Sequence, residues 1–178
     1  MRATRPSMGE TVAQAIDRRH RRQTQRRWVW FGVLAAAVLI LDQITKAIIT
    51  GNLDPRERID VFPGFQISRV ANEGIAFGLF PGRQAIVAVL TVVALCAIAI
   101  ALAGLVSRNA TVAAGAGLLV GGSLGNLIDR LTRGAVVDFI DFTRWPAFNV
   151  ADCGIVIGAV LIVLGLMQDA EEADEPGP

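Results

Sequence analysis

The chain has 178 residues, 53% of them hydrophobic and none of them tyrosine, with a mean hydropathy of +0.50. That length suits one domain, but apolar residues gathered into long runs exclude an ordinary soluble one. A formal net charge of +1 excludes a global attraction to nucleic acid, and no nucleic-acid partner is expected.

In chain order, residues 1–27 come first, a basic tail with eight arginines (Arg2, Arg5, Arg18, Arg19, Arg21, Arg22, Arg26 and Arg27) against Glu10 and Asp17. By the positive-inside rule this end is cytoplasmic. The tail reads as a solvated segment facing anionic lipid, with a partner site as the alternative. Four apolar segments follow, Trp28–Ile49, Ala85–Val106, Thr111–Ile128 and Asn149–Met167, each close to the roughly 20 residues that cross a bilayer. The first is long for a signal-peptide core and ends without a small-residue cleavage site, so it is expected to stay in the membrane. The glycines of the third suit close helix packing in lipid. Four spans return residues 168–178, an acidic tail, to the cytoplasm and leave loops 50–83 and 129–148 outside. Cys96 and Cys153 then lie roughly 10 Å apart in depth, too far for a disulfide, and are expected to be buried free thiols.

With this topology the polar residues of the spans collect at their outer ends, and the inner ends carry no such cluster. Asp42 and Lys46 are four apart on one helix face and can pair, the lysine snorkelling outward. Span three closes with "GGSLGNLIDR", which puts Asn126 and Asp129 on one face with Arg130 beside them. Span four opens with "FNVADC", which does the same for Asn149 and Asp152. "NEGIAFGLF" precedes span two. Each group has a plain structural reading: Asp42–Lys46 as a neutralised pair, Asp129 holding Arg130 at a helix end, Gly121, Gly122 and Gly125 as packing residues, and Asp141 as a solvated loop residue. Asp138 and Asp152 are harder to explain that way, because neither has a basic residue at helical spacing and both border apolar sequence.

The chemistry available is narrow. The single histidine, His20, lies in the basic tail, so no Ser–His or Cys–His arrangement is supported. No His/Cys spacing suits zinc, no phosphate-binding or dinucleotide motif appears, and no metal or cofactor is expected. Two carboxylates at one depth remain. Close together they share a proton, and one can deprotonate water while the other polarises a peptide carbonyl. The residues by themselves leave open an intramembrane aspartyl hydrolase, a proton-coupled transporter and a non-enzymatic membrane scaffold. A transporter would place polar residues through the whole depth or break its helices; a scaffold needs no unpaired aspartates.

The ordered set "LDQITK" (41–46), "NEGIAFG" (72–78), "GGSLGNLIDR" (121–130), "VVDFID" (136–141) and "FNVADC" (148–153) resembles the lipoprotein signal peptidase (signal peptidase II) family over about residues 28–167. The resemblance implies a membrane all-α fold of four transmembrane helices with a small extracytoplasmic β-cradle, here residues 52–70. It implies an aspartic endopeptidase of the bacterial inner membrane that removes the signal peptide of prolipoproteins before a diacylglyceryl-modified cysteine. Its partners would be that lipidated substrate and membrane lipid, and a monomer is expected. Asp138 and Asp152 match the family's catalytic aspartates. Asp42, Lys46, Asn72, Gly122, Asn126, Asp129, Arg130, Asn149 and Ala151 match supporting or substrate-binding positions. Among these, Asn72 and Arg130 would touch substrate, Asn149 would orient the dyad, and Asp129 would be a structural partner near Arg130. Three features depart from the family pattern: Cys153 where serine is common, Glu73 in "NEG" where "NTG" is frequent, and a short stretch between the two aspartates.

Overall fold

A computed structural model of the chain describes residues 8–73 and 84–174. In these, α1 (Met8–Asn52) leads into β1 (Arg58–Phe62) and β2 (Phe65–Asn72), followed by α2 (Gln84–Val106), α3 (Ala110–Arg133), β3 (Val136–Phe142) and α4 (Val150–Asp174). Among the described residues three stretches are long and apolar enough to cross a membrane, Val12–Asn52, Ala110–Arg133 and Val150–Glu171, and α2 is a further helix of 23 residues without a charge. Of the "NEGIAFG" motif, only Asn72 and Glu73 fall among the described residues.

α1 differs most from the sequence reading. Its 45 residues form one helix, about 68 Å long at 1.5 Å per residue, so residues 8–27 of the basic tail are a helical extension of the first span. No proline or glycine interrupts residues 10–31, and the alanine, glutamine and arginine there favour helix. α1 ends where its last carbonyls find side-chain donors. The Asn52 amide bonds the Ile48 carbonyl at 2.7 Å, and the Arg69 guanidinium bonds the carbonyls of Thr50 (3.2 Å) and Leu53 (2.7 Å).

α3 is the central helix, packed against α1, α2 and α4. Asn109 caps it, its side-chain oxygen accepting from Thr111 N (2.8 Å) and Val112 N (3.1 Å), and Gly134 ends it in the left-handed region at φ 76°. Its buried face runs through Val112, Ala116, Gly122, Gly125, Asn126 and Asp129, close to helical period. Two glycines there matter for the site. A Cβ on Gly122 would collide with the backbone carbonyl of Ala151 on α4, and one on Gly125 would sit 2.6 Å from Asp42 Oδ2 on α1. Small residues at these crossings let backbones approach.

The cradle expected over residues 52–70 is present as the β1–β2 hairpin, turned at Gly64 (φ 90°), but the sheet has a third strand. β3 pairs antiparallel with β2, giving the order β1-β2-β3, with Asp138 opposite Val70 and Val136 opposite Asn72. The sequence 136–142 alternates between two buried environments. Val137 and Phe139 face Ile49 and Val150 on the helices, and Asp138 points the other way, as strand periodicity requires. Asp141 shares the helix-facing side and is not a solvated loop residue: it is buried and accepts a 2.9 Å bond from Gln66 Nε2.

The opposite ends of the helices also carry polar contacts, contrary to the sequence reading. Arg27 Nη1 donates to the Ser107 carbonyl at 2.6 Å, and Asn109 Nδ2 reaches the Gly165 carbonyl (2.9 Å) and Asp169 (2.6 Å). Both cysteines are free, as expected, but Cys96 is exposed on α2 and Cys153 only half-buried, so neither is a buried thiol.

Candidate active site

Asp138 and Asp152 come from different elements, and the chain between them explains how they meet. After β3, residue Phe148 returns to form a bridge with Ile140: Phe148 N donates to Ile140 O (3.0 Å), and Phe148 O accepts from Ile140 N (2.8 Å) and Phe139 N (3.0 Å). That bridge delivers Asn149 beside Asp138 at the moment α4 begins. Asn149 caps α4, its side-chain oxygen accepting from Asp152 N at 3.0 Å, and Asp152 Oδ2 returns the bond by accepting from Asn149 N at 3.2 Å. This reciprocal capping box fixes Asp152 in the first turn.

The other side of the Asn149 amide faces β3. Its Nδ2 donates to Asp138 Oδ1 at 2.7 Å, while Asn72 Nδ2 donates to Asp138 Oδ2 at 3.0 Å. Asn126 on α3 donates to Asp152 Oδ1 at 2.8 Å. Each carboxylate is therefore held at both oxygens by neutral donors, and one residue, Asn149, touches both. Asp138 is 2% exposed. Burial pushes its carboxyl up to about 7; hydrogen bonding from Asn72 pulls it down, the neighbouring Asp152 pushes it further up, and Asn149 and the Lys46 charge pull it down.

Beneath the aspartates lies a buried ion cluster. Lys46 Nζ has three partners: Asp42 Oδ2 at 2.9 Å, Asp129 Oδ2 at 2.8 Å and Asn126 Oδ1 at 2.9 Å. The ammonium has three protons, so all are used. The Asp42–Lys46 pair expected from helical spacing is present, but Lys46 is wholly buried and does not snorkel outward. Asp42 Oδ1 also accepts from Ala151 N at 3.0 Å, tying α1 to the first turn of α4. Asp129 pairs with Lys46 and Arg133, not with Arg130, because four residues along α3 puts Arg133 on its face. Asp129 Oδ2 further accepts from Val137 N at 3.2 Å, anchoring β3 next to Asp138. Gln43, which sequence reasoning missed, bridges Asp42 (3.1 Å) and the Gly125 carbonyl (3.2 Å). It lies in "LDQITK", but one residue from Asp42 it carries no periodic signal.

The aspartates open into a cavity of about 1140 Å³ between the sheet, α2, α3 and α4, where Asn72, Glu73, Thr91, Ser123, Asn126 and Arg130 supply further polar groups. Leu95 and Ile98 of α2 with Ile155 and Val156 of α4 form apolar walls. All eleven site residues expected from sequence thus fall on one connected constellation: Gly122 and Ala151 as the crossing that lets α3 meet α4, the rest as polar members. Among the described residues no cluster of His, Cys, Asp and Glu could hold a metal ion. What the arrangement offers chemically is a buried carboxyl, Asp138, and a half-buried one, Asp152, joined through Asn149 at the end of a largely apolar groove.

A model of the signal peptidase (SPase) II family matches residues 34–168. The chain belongs to the signal peptidase II family. It is 38% identical over 144 residues to the lipoprotein signal peptidase of Pelotomaculum thermopropionicum, covering 80% of this chain and 95% of the relative. With that of Staphylococcus haemolyticus it shares 35% identity over 147 residues, covering 80% and 93%. Two solved bacterial membrane enzymes have the same fold. One aligns at TM-score 0.71 and 34% identity, over 82% of this chain and 92% of that one; the other at 0.64 and 35%, over 77% and 92%. In this signal peptidase II the matched region holds every member of the constellation, while the helical arginine-rich extension, residues 8–27, lies wholly outside it.

Proposed function

We propose that this signal peptidase II removes the signal peptide of diacylglyceryl-modified prolipoproteins with Asp138 and Asp152 as its catalytic pair. The observation that carries the assignment is the shared Asn149, which bonds Asp138 at 2.7 Å and the Asp152 backbone at 3.0 Å. Asp138, with its carboxyl raised to about 7, holds a proton below that pH and in that form polarises the scissile carbonyl. Asp152, ionised, takes a proton from the attacking water. Water adds to the carbonyl carbon to give a tetrahedral gem-diol, and proton transfer to the amide nitrogen releases the lipidated cysteine as a new N-terminus. No covalent enzyme intermediate forms.

The supporting roles follow from the contacts. Asn126 and Asn149 orient the pair, Asn72 holds Asp138 through its Oδ2, and Arg130 faces the cleft where substrate backbone would lie. The apolar walls from α2 and α4 suit a signal helix entering sideways from lipid. Four spans, cytoplasmic termini and an outward-facing cradle complete the reading, supported by the arginines of residues 18–27 and by the sheet lying at the other end of α1. The enzyme acts as a monomer, since the constellation is complete within one chain.

The test uses purified protein with one prolipoprotein in two forms, carrying or lacking the diacylglyceryl group. Product masses are expected to show cleavage immediately before the cysteine in the lipidated form alone. Equal cleavage of both forms would remove lipid recognition from the account.

A further inference from the structure

A second cavity, of about 910 Å³, lies between the C-terminal end of α1, the β1–β2 hairpin and the end of α3. Its wall includes Ala71 and Val137, a cross-strand pair whose side chains point to the face of the sheet opposite Asp138. Four arginines line it, Arg56, Arg58, Arg69 and Arg133, against one carboxylate, Glu73.

These cations are not equivalent. Arg133 is paired with Asp129. The irregular register of β2 between Ile67 and Val70 turns Arg69 toward α1, where it covers the Thr50 and Leu53 carbonyls and cancels the partial negative charge of that helix end. Arg56 and Arg58 have no carboxylate within ion-pair distance among the described residues. Arg56 holds a left-handed backbone (φ 70°), and its N–H is bonded to Arg69 O at 2.9 Å. Glycine would adopt that conformation freely, so the backbone alone does not call for arginine.

The level of the cavity indicates what fills it. α1 and α3, both apolar enough to cross a bilayer, end at its edge. Ile44 and Ile48 on the last turns of α1 and Leu131 near the end of α3 are exposed, as are Ile59, Val61 and Phe62 on β1. Two uncompensated guanidinium groups thus stand where lipid-facing apolar surface meets polar loops, the depth of the phosphate layer. We propose that this cavity binds the phosphodiester of an anionic phospholipid, Arg56 and Arg58 meeting the phosphate through paired N–H donors and the acyl chains lying along α1. The site adjoins the catalytic cleft, since Val70, Ala71 and Glu73 line both, but Arg56 and Arg58 line only this cavity, and the proposal needs only that the chain sit in a membrane.

The test is native mass spectrometry of the full chain released from nanodiscs of phosphatidylglycerol and phosphatidylcholine in equal parts. Wild type is expected to retain phosphatidylglycerol preferentially. Arg56→Gly with Arg58→Gln should lower that preference at least about tenfold, the loss of a single charge-assisted hydrogen bond being the lower bound. Arg58→Gln alone, on an exposed strand position, should give a smaller loss. Arg18→Gln with Arg22→Gln removes equal charge from the α1 extension and should change retention little. Equal losses in the two double variants would overturn the proposal, since only bulk charge would be at work. Inorganic phosphate or glycerol phosphate displacing the lipid at micromolar concentration would overturn the lipid as ligand. So would unchanged lipid retention in the cavity variants accompanied by slower cleavage of substrates with acidic residues after the cysteine, which would assign the cavity to peptide.

Discussion

Lys46 Nζ lies 2.9 Å from Asn126 Oδ1, and this contact decides which way the Asn126 amide faces. An ammonium can only donate, so the amide oxygen must meet it, leaving Asn126 Nδ2 to donate to Asp152 at 2.8 Å. A residue on α1 thereby sets the hydrogen bonding of a carboxylate on α4, with Asn126 as the relay. Lys46→Met should reduce activity at least about 10²-fold, as misplacement of a catalytic group does. Asn126→Leu should do the same without a comparable loss of stability, and kinetics beside thermal melts of both variants check the split. A Lys46→Met variant that melts lower yet cleaves normally would show that the relay does not act on Asp152.

The ion cluster sets a rule for rescue. Lys46 is shared by Asp42 and Asp129, all wholly buried, and stranding a buried charge costs about 3–5 kcal/mol. Neutralising Asp42 alone in a Lys46→Met background leaves Asp129 with Arg133 as its remaining ionic partner. Recovery of melting temperature should therefore be small in Asp42→Asn/Lys46→Met and larger when Asp129→Asn is added. Full recovery in the double variant would mean Asp129 relies on Arg133 alone.

Acid–base behaviour follows from Asp138. Its carboxyl is raised to about 7, and an aspartyl pair works with one proton held and one lost. Cleavage should fall as the pH rises through about 7, when Asp138 ionises. Asn72 donates to the ionised carboxylate at 3.0 Å and so lowers its pKa. Asn72→Ala should raise that pKa and carry the alkaline limb of kcat/KM to higher pH, whatever happens to the maximal rate. A limb that moves to lower pH contradicts the assigned hydrogen bond.

Helix approach is the fourth dependence. Gly122→Ala would drive a methyl into the Ala151 carbonyl, backbone that cannot give way without moving α4. The variant should lose about 1–3 kcal/mol of stability, as overpacking does, and activity with it, because Ala151 precedes Asp152. Gly32→Ala, with open space around it, should leave both nearly unchanged. Thermal melts of the pair in one detergent measure this.

Much of the site was legible because it obeys helical arithmetic. Asp42 with Lys46, Asn126 with Asp129, and Asn149 with Asp152 are each three or four residues apart, and that spacing alone placed each pair on one face. What spacing cannot show is which faces meet. Asp129 was assigned to its chain neighbour Arg130, whereas the α1–α3 crossing at Gly125 presents it to Lys46. β3 was hidden for another reason. "VVDFIDF" is apolar at five of its seven positions, and because both faces of the strand are buried it lacks the alternation that marks a half-solvated one. Missing the strand also made Asp141 look solvated. The helical run of α1 into the basic tail was masked by charge, since a polar helix buries no stripe and leaves no periodic trace.

The proposed pairing of Asp138 and Asp152, without a nucleophilic side chain, is tested most directly by cleavage of one lipidated prolipoprotein by three folded variants. Asp138→Asn and Asp152→Asn should each lose at least about 10²-fold in rate, the scale of a lost general acid or base. Cys153→Ser, changing the neighbouring thiol on the first turn of α4, should cleave at near the wild-type rate. Inactive Cys153→Ser beside an active Asp138→Asn or Asp152→Asn, with melting temperatures unchanged, would contradict the aspartyl mechanism.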